Sequence, residues 1–169
     1  FFMFDLPHGF IQFAHALAQT AGEPVQSSQL VEHGSAYAVF RIGFKAYAEL
    51  GLEFASFLES CTDVLAYAKN YLAVNFKLDY VNRDGNISYY YPDFIVRLPK
   101  NRIVIVETKG NADLDTPLKM ERLRQWCEDV NKAQPEVMYD FVYVPQDEFE
   151  KYLPSNFGDL FANFREYKI

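Results

Sequence analysis

The sequence predicts an α/β domain whose elements run helix, three strands in a meander, helix and a fourth strand. Three observations lead to that class. Apolar residues recur at helical spacing through Leu50, Phe54, Phe57, Leu58, Val64 and Leu65. They then alternate with polar ones at Phe76, Leu78 and Tyr80, the period of a half-buried strand. Finally, Ile103-Val104-Ile105-Val106 is an unbroken apolar run, as in a central strand covered on both faces.

Taken in order, residues 1 to 43 form a leading segment. Phe10, Ile11, Phe13, Ala14, Leu17 and Ala18 are spaced as one face of a short helix, and the polar Gly-, Pro- and Ser-containing stretch from Ala21 to Gly34 reads as a linker. Residues 44 to 169 form the main domain. Its first helix spans about Phe44 to Asn70, with a break near Thr62. A first strand around Phe76 to Tyr80 turns at Asp84-Gly85 into a second strand, Ile87 to Leu98. Pro99-Lys100-Asn101 then turns the chain into a third, Ile103 to Lys109. At Thr116-Pro117 a hydroxyl able to cap free N–H groups precedes a proline suited to the first helical position, so a helix starts there and runs to about Asn131. Tyr139 to Val144 is the fourth strand, followed by short helices around Phe149 and Phe161.

A chain of 169 residues buries roughly 70% of the surface its unfolded form exposes, enough for a real core. Half of the residues are hydrophobic and 17% are aromatic, which excludes a disordered or low-complexity chain. Cys61 and Cys127 lie far apart and His8, His15 and His33 are scattered, so neither a disulfide framework nor a structural zinc is expected. No membrane-spanning run and no secretory leader are evident, which predicts an intracellular, soluble protein without a membrane partner. The first residue is Phe1 rather than Met, which points to a piece of a larger polypeptide. The net charge of −7 and pI near 4.9 oppose tight binding to nucleic acid, because that binding rests on cations that meet phosphates. A carboxylate metal site is itself acidic, so the total charge lowers the expected grip without excluding such a partner.

The chemistry is concentrated in the second and third strands. With their turn centred near Lys100, Asp93 lies opposite Glu107, and opposed positions of an antiparallel pair have Cβ atoms about 4.5 to 5.5 Å apart. Lys109 falls two residues beyond Glu107, on the same face. Carboxylates this close raise one another's pKa unless an oxygen-seeking divalent ion relieves them. Such an ion polarises a phosphoryl oxygen and activates water, and a neighbouring lysine orients that water or stabilises the developing charge. The expected reaction is phosphodiester hydrolysis.

The string Tyr91-Pro92-Asp93-Phe94-Ile95-Val96, the thirteen residues between Asp93 and Glu107, and Glu107-Thr108-Lys109-Gly110 resemble the PD-(D/E)xK motif of restriction-type nucleases. The wider pattern runs from Glu53-Phe54-Ala55 through Asp63-Val64 and Lys69-Asn70 to Lys119 and Trp126. It is similar to the C-terminal endonuclease domain of type III restriction enzyme cutting subunits, over about residues 45 to 145. The resemblance implies a restriction-endonuclease-like αβββαβ core, with a mixed four-stranded sheet flanked by helices. It also implies a metal-dependent endodeoxyribonuclease using Mg2+, with Mn2+ able to substitute, and acting on DNA in a prokaryotic cytoplasm. A helicase-like motor in the same polypeptide and a modification or specificity subunit are the partners it implies. Asp93 and Glu107 would be metal ligands, the Thr108 backbone carbonyl would complete the site, and Lys109 would serve the water. Glu53 or Glu49, four residues apart on one helix face, is the candidate for an added helix carboxylate. RNA or branched DNA would suit the same metal chemistry. The alternative class is a catalytically silent copy of the fold that binds nucleic acid or protein inside a larger machine.

Other residues carry less. Lys119 is a candidate phosphate contact, whereas Arg122 and Arg124 read as a solvated helix face. Trp126, at helical spacing from Leu123 and Val130, reads as core. Tyr89, Tyr90 and Tyr91 alternate across a strand, so at least one face of that run is expected to pack inward. Cys61 and Cys127 read as ordinary helix residues.

Overall fold

A computed structural model of the chain describes residues 49–70, 76–110 and 113–168. The leading helix, the linker, the three histidines and the predicted start of the first helix at Phe44 lie outside these residues, as does the side chain of Glu49. The protein is α/β, with a mixed four-stranded sheet, a separate two-stranded sheet and, among the described residues, four helices. The first helix, α1, spans Glu49–Ser60 and ends before the expected break near Thr62. Val64 is buried in the connection that follows and Leu65 is half exposed, so neither extends the helical face.

Beyond that connection, Ala66–Lys69 forms strand β1, where a helix was expected. Four residues are too few to display a period, and the alanines and lysine favour helix locally. Pairing overrides that preference, because β1 satisfies the backbone along one side of β4 (Phe94–Leu98), with Ala66 opposite Arg97 and Lys69 opposite Phe94.

The expected second strand is likewise two strands. β2 (Leu78–Val81) and β3 (Ile87–Tyr90) make a hairpin of their own, and β4 begins only after Tyr91-Pro92-Asp93. Proline has no N–H to offer a ladder and restricts the residue before it, so the strand breaks there. Asn70 holds the break in place. Its side-chain amide donates to the carbonyls of Phe76 (2.7 Å) and Pro92 (2.8 Å), its side-chain oxygen accepts from Phe76 N, and its own N–H donates to the Asp93 carbonyl. The hairpin turns at Gly85, whose φ of +80° suits glycine.

β4 pairs antiparallel with β5 (Arg102–Lys109), and Phe94 lies opposite Val106 and Leu98 opposite Arg102, the register expected from the turn around Lys100. Helix α2 (Thr116–Ala133) then crosses over to β6 (Met138–Pro145), which lies parallel to β5, giving the order β1-β4-β5-β6. Thr116 is the first helical residue rather than the cap. Its hydroxyl exchanges hydrogen bonds with Asp113, and Asp115 occupies the cap without a side-chain bond to the helix's own N–H groups, its carboxylate accepting instead from the Tyr80 hydroxyl and Arg83 N. Two short helices follow, α3 (Gln146–Tyr152) and α4 (Phe157–Asn163). The Asp63 carboxylate accepts from the N–H groups of Phe157 and Gly158 and ties the start of α4 to the connection between α1 and β1.

Alternation along the central strands divides the core in two. Phe94, Val96, Val104, Val106, Val142 and Val144 face α1, α3 and α4 through Phe54, Leu58, Phe149 and Leu160. Ile95, Ile103, Ile105 and Phe141 face α2 and the hairpin through Met120, Leu123, Trp126 and Tyr90. Trp126 packs against Phe76 and Tyr139. Tyr90 is buried while Tyr89 and Tyr91 are exposed, so one face of the tyrosine run packs inward as expected. Cys61, just past the end of α1, and Cys127 are free and buried, and burial pushes the Cys61 thiol up to about 12, far from a reactive thiolate. No helix among the described residues is long and apolar enough to cross a membrane.

Candidate active site

The site lies where β4 and β5 begin to separate. Pairing of β4 with β5 reaches Phe94 and Val106. Asp93 is one step outside: its N–H donates to the Val106 carbonyl at 3.0 Å, and its side chain turns toward Thr108. Asp93 Oδ2 accepts from Thr108 N at 3.0 Å and from Thr108 Oγ1 at 2.8 Å, while Oδ1 pairs with Lys69 Nζ at 2.8 Å. Thr108 therefore meets Asp93 through its N–H and hydroxyl, and that hydroxyl lies on the opposite face of β5 from Glu107 and Lys109.

Glu107 has a different set of partners. It is 5% exposed, its Oε2 accepts from the buried Tyr90 hydroxyl at 3.0 Å, and its Oε1 lies 3.6 Å from Lys109 Nζ. Burial pushes its carboxyl up to about 8, and the charge of Asp93 adds to the rise, against the pull of Lys109, Tyr90 and Lys119. Tyr90 is raised well above its ordinary value by burial first and by Glu107 second, so it stays a donor. Lys109 also lies 3.4 Å from Asp113 Oδ2, which takes Lys119 Nζ at 2.7 Å. These lysines hold the Asp113 carboxyl well below the usual carboxylate range, the hydrogen bond from Lys119 being the largest cause. Glu107, Lys109, Asp113 and Lys119 are thus linked in one run of acid and base contacts leading to the start of α2.

The structure brings Glu107 together with Lys109, and Asp93 together with Thr108. Lys119 joins through Asp113 and sits 5.8 Å from the Tyr80 ring centroid. Arg122 donates to the Asp79 carbonyl, and Arg124 pairs with Glu121 and Glu128 along its own helix. Glu53 is exposed on α1, which packs on the Val104 and Val106 face. Among the described residues, no group of three or more His, Cys, Asp and Glu side chains is placed to hold a metal ion. Mg2+ usually keeps several waters and takes only one or two carboxylates from a protein. The hard oxygen donors of Asp93, Glu107 and the Thr108 carbonyl suit an ion of that kind in chemical type.

Sequence reasoning missed Lys69, Tyr90 and Asp113 as members of this neighbourhood. Lys69-Asn70 entered only as part of the wider resemblance, and the alternation of Tyr89, Tyr90 and Tyr91 marked one face of the strand as inward without deciding which. No protein-family model, curated protein or solved structure matches this chain.

Proposed function

We propose that this chain is a Mg2+-dependent endonuclease domain of the PD-(D/E)xK kind, which hydrolyses DNA phosphodiester bonds as part of a type III-like restriction enzyme. The observation that carries the reading is the buried Glu107 carboxylate, with Lys109 3.6 Å away on the same face and the charge of Asp93 close enough to raise its pKa. Support also comes from the order of elements around the large sheet. With the β2–β3 hairpin set aside, α1, β1, β4, β5, α2 and β6 follow the αβββαβ order of restriction-endonuclease-like cores. A motor domain in the same polypeptide and a specificity subunit belong to the same proposal.

Asp93, Glu107 and the Thr108 carbonyl would hold the ion. When bound, it would polarise a phosphoryl oxygen and acidify a water. Tyr90 holds one oxygen of Glu107 and leaves the other toward Lys109. The Lys109 ammonium offers donors to a water or to the charge that grows on the phosphate, and Asp113 steadies it from the other side.

A specific observation favours a second reading, a catalytically silent module that binds nucleic acid or protein. Lys69 and Thr108 already engage both oxygens of Asp93. A divalent-ion titration of the chain, followed by nicking of supercoiled plasmid, separates the two. Ion binding with nicking supports the nuclease, and binding of plasmid without either supports the silent module.

A further inference from the structure

Lys69 ends β1 directly opposite Phe94. A lysine at the end of an edge strand ordinarily extends its ammonium into water. This one is folded inward. Its Nζ stands 4.6 Å from the Phe94 ring centroid and 2.8 Å from Asp93 Oδ1, with side-chain exposures of 16% for Lys69 and 26% for Asp93. Asp93 Oδ2 is held separately by the backbone and hydroxyl of Thr108, so the carboxylate is oriented by β5 and presents its other oxygen to the lysine. Partial burial leaves this pair less screened than a surface pair.

We propose that Lys69 is a positioning residue for metal loading: its ammonium stands in as the counter-cation of Asp93 in the ion-free protein, and a divalent ion must displace it to reach that carboxylate. This inference rests on the proposed nuclease site. Two cations cannot share one carboxylate oxygen at close range without strong repulsion. The exchange is therefore competitive, and the charge of Lys69 sets the ion concentration at which the site fills. The arrangement keeps Asp93 oriented and neutralised before the ion arrives.

The test is calorimetric titration of Mg2+ and Mn2+ into the 169-residue chain without DNA, comparing wild type with Lys69→Gln and Lys69→Arg. Lys69→Gln should lower the dissociation constant for the ion by roughly three- to tenfold, as expected when a partly buried competing charge is removed. Lys69→Arg should remain near wild type. A lysine that only supported the fold would weaken ion binding when lost, not tighten it. An unchanged or weaker affinity in Lys69→Gln, with wild type binding normally, overturns the role of Lys69 alone. Absence of ion binding from both folded proteins overturns the metal site as well. Should Lys69→Gln fail to fold, the wild-type chain decides: acetylation of Lys69, read by mass spectrometry, should accelerate on adding Mg2+, and an equal or slower rate rejects the exchange.

Discussion

Lys109 Nζ lies 3.6 Å from Glu107 Oε1, on one face of β5, while the hydroxyl of the intervening Thr108 reaches Asp93 from the other face. Period-two alternation thus separates two jobs along three consecutive residues. Glu107 and Lys109 make a buried acid and its cation, and Thr108 orients the second acid.

Asp93→Ala and Glu107→Ala should each abolish Mg2+-dependent nicking and weaken ion binding together. Lys109→Ala should retain the ion while turnover falls on the order of a hundredfold or more, the usual loss when one group stabilising transition-state charge is removed. Calorimetry and a nicking assay on the same preparations check it, with circular dichroism to exclude fold loss. Loss of the ion from Lys109→Ala as complete as from Asp93→Ala would show the roles to be misassigned.

Glu107 makes the stability of the metal-free protein depend on pH. Its carboxyl is raised from 4.5 to about 8 in the folded chain, chiefly by burial. Between those values the folded state holds a proton that the unfolded state has released. The contribution of Glu107 to stability is therefore full below about pH 4.5 and declines as pH rises to about 8, by at most about 1.4 kcal/mol per pH unit for this single proton. Urea denaturation in chelator at several pH values should show the decline, and Glu107→Gln should flatten it. An equal slope in that variant would assign the effect to other groups.

Asn70 clamps the broken strand. Its side chain makes three hydrogen bonds, two of them with Phe76 and one with the carbonyl of Pro92. At about 1 kcal/mol each, Asn70→Ala should cost on the order of 2 to 3 kcal/mol of unfolding free energy and lower nicking by loosening Asp93. A loss below about 0.5 kcal/mol, the range of an ordinary surface substitution, would mean that Pro92 and the ladder hold the break without it.

Binding of DNA by this chain alone should be weak and salt-sensitive. The net charge is −7, and the lysines near the site, Lys69, Lys109 and Lys119, are each paired with a carboxylate. Two or three phosphate contacts would give a slope of log affinity against log salt on the order of −2 to −3. Fluorescence anisotropy across a salt series measures it, and tight binding indifferent to salt would contradict the expectation.

Local pattern alone determined the α/β class, the long helix after Thr116-Pro117, the register of β4 with β5 and the common face of Glu107 and Lys109. Each of these depends on spacing within a few residues or on one short turn, and periodicity reads such features directly. The tertiary structure decided the rest. Ala66–Lys69 is a strand because β4 has an edge to satisfy, a demand invisible in four residues with helical preferences. The run from Ile87 to Leu98 is divided between two sheets because Pro92 interrupts it and Asn70, distant in sequence, bonds across the break. Lys69 reaches Asp93, and Tyr90 reaches Glu107, across separations of 24 and 17 residues. Such pairings follow from how the layers stack, because burial between them forces each polar group to find whichever partner the packing brings near.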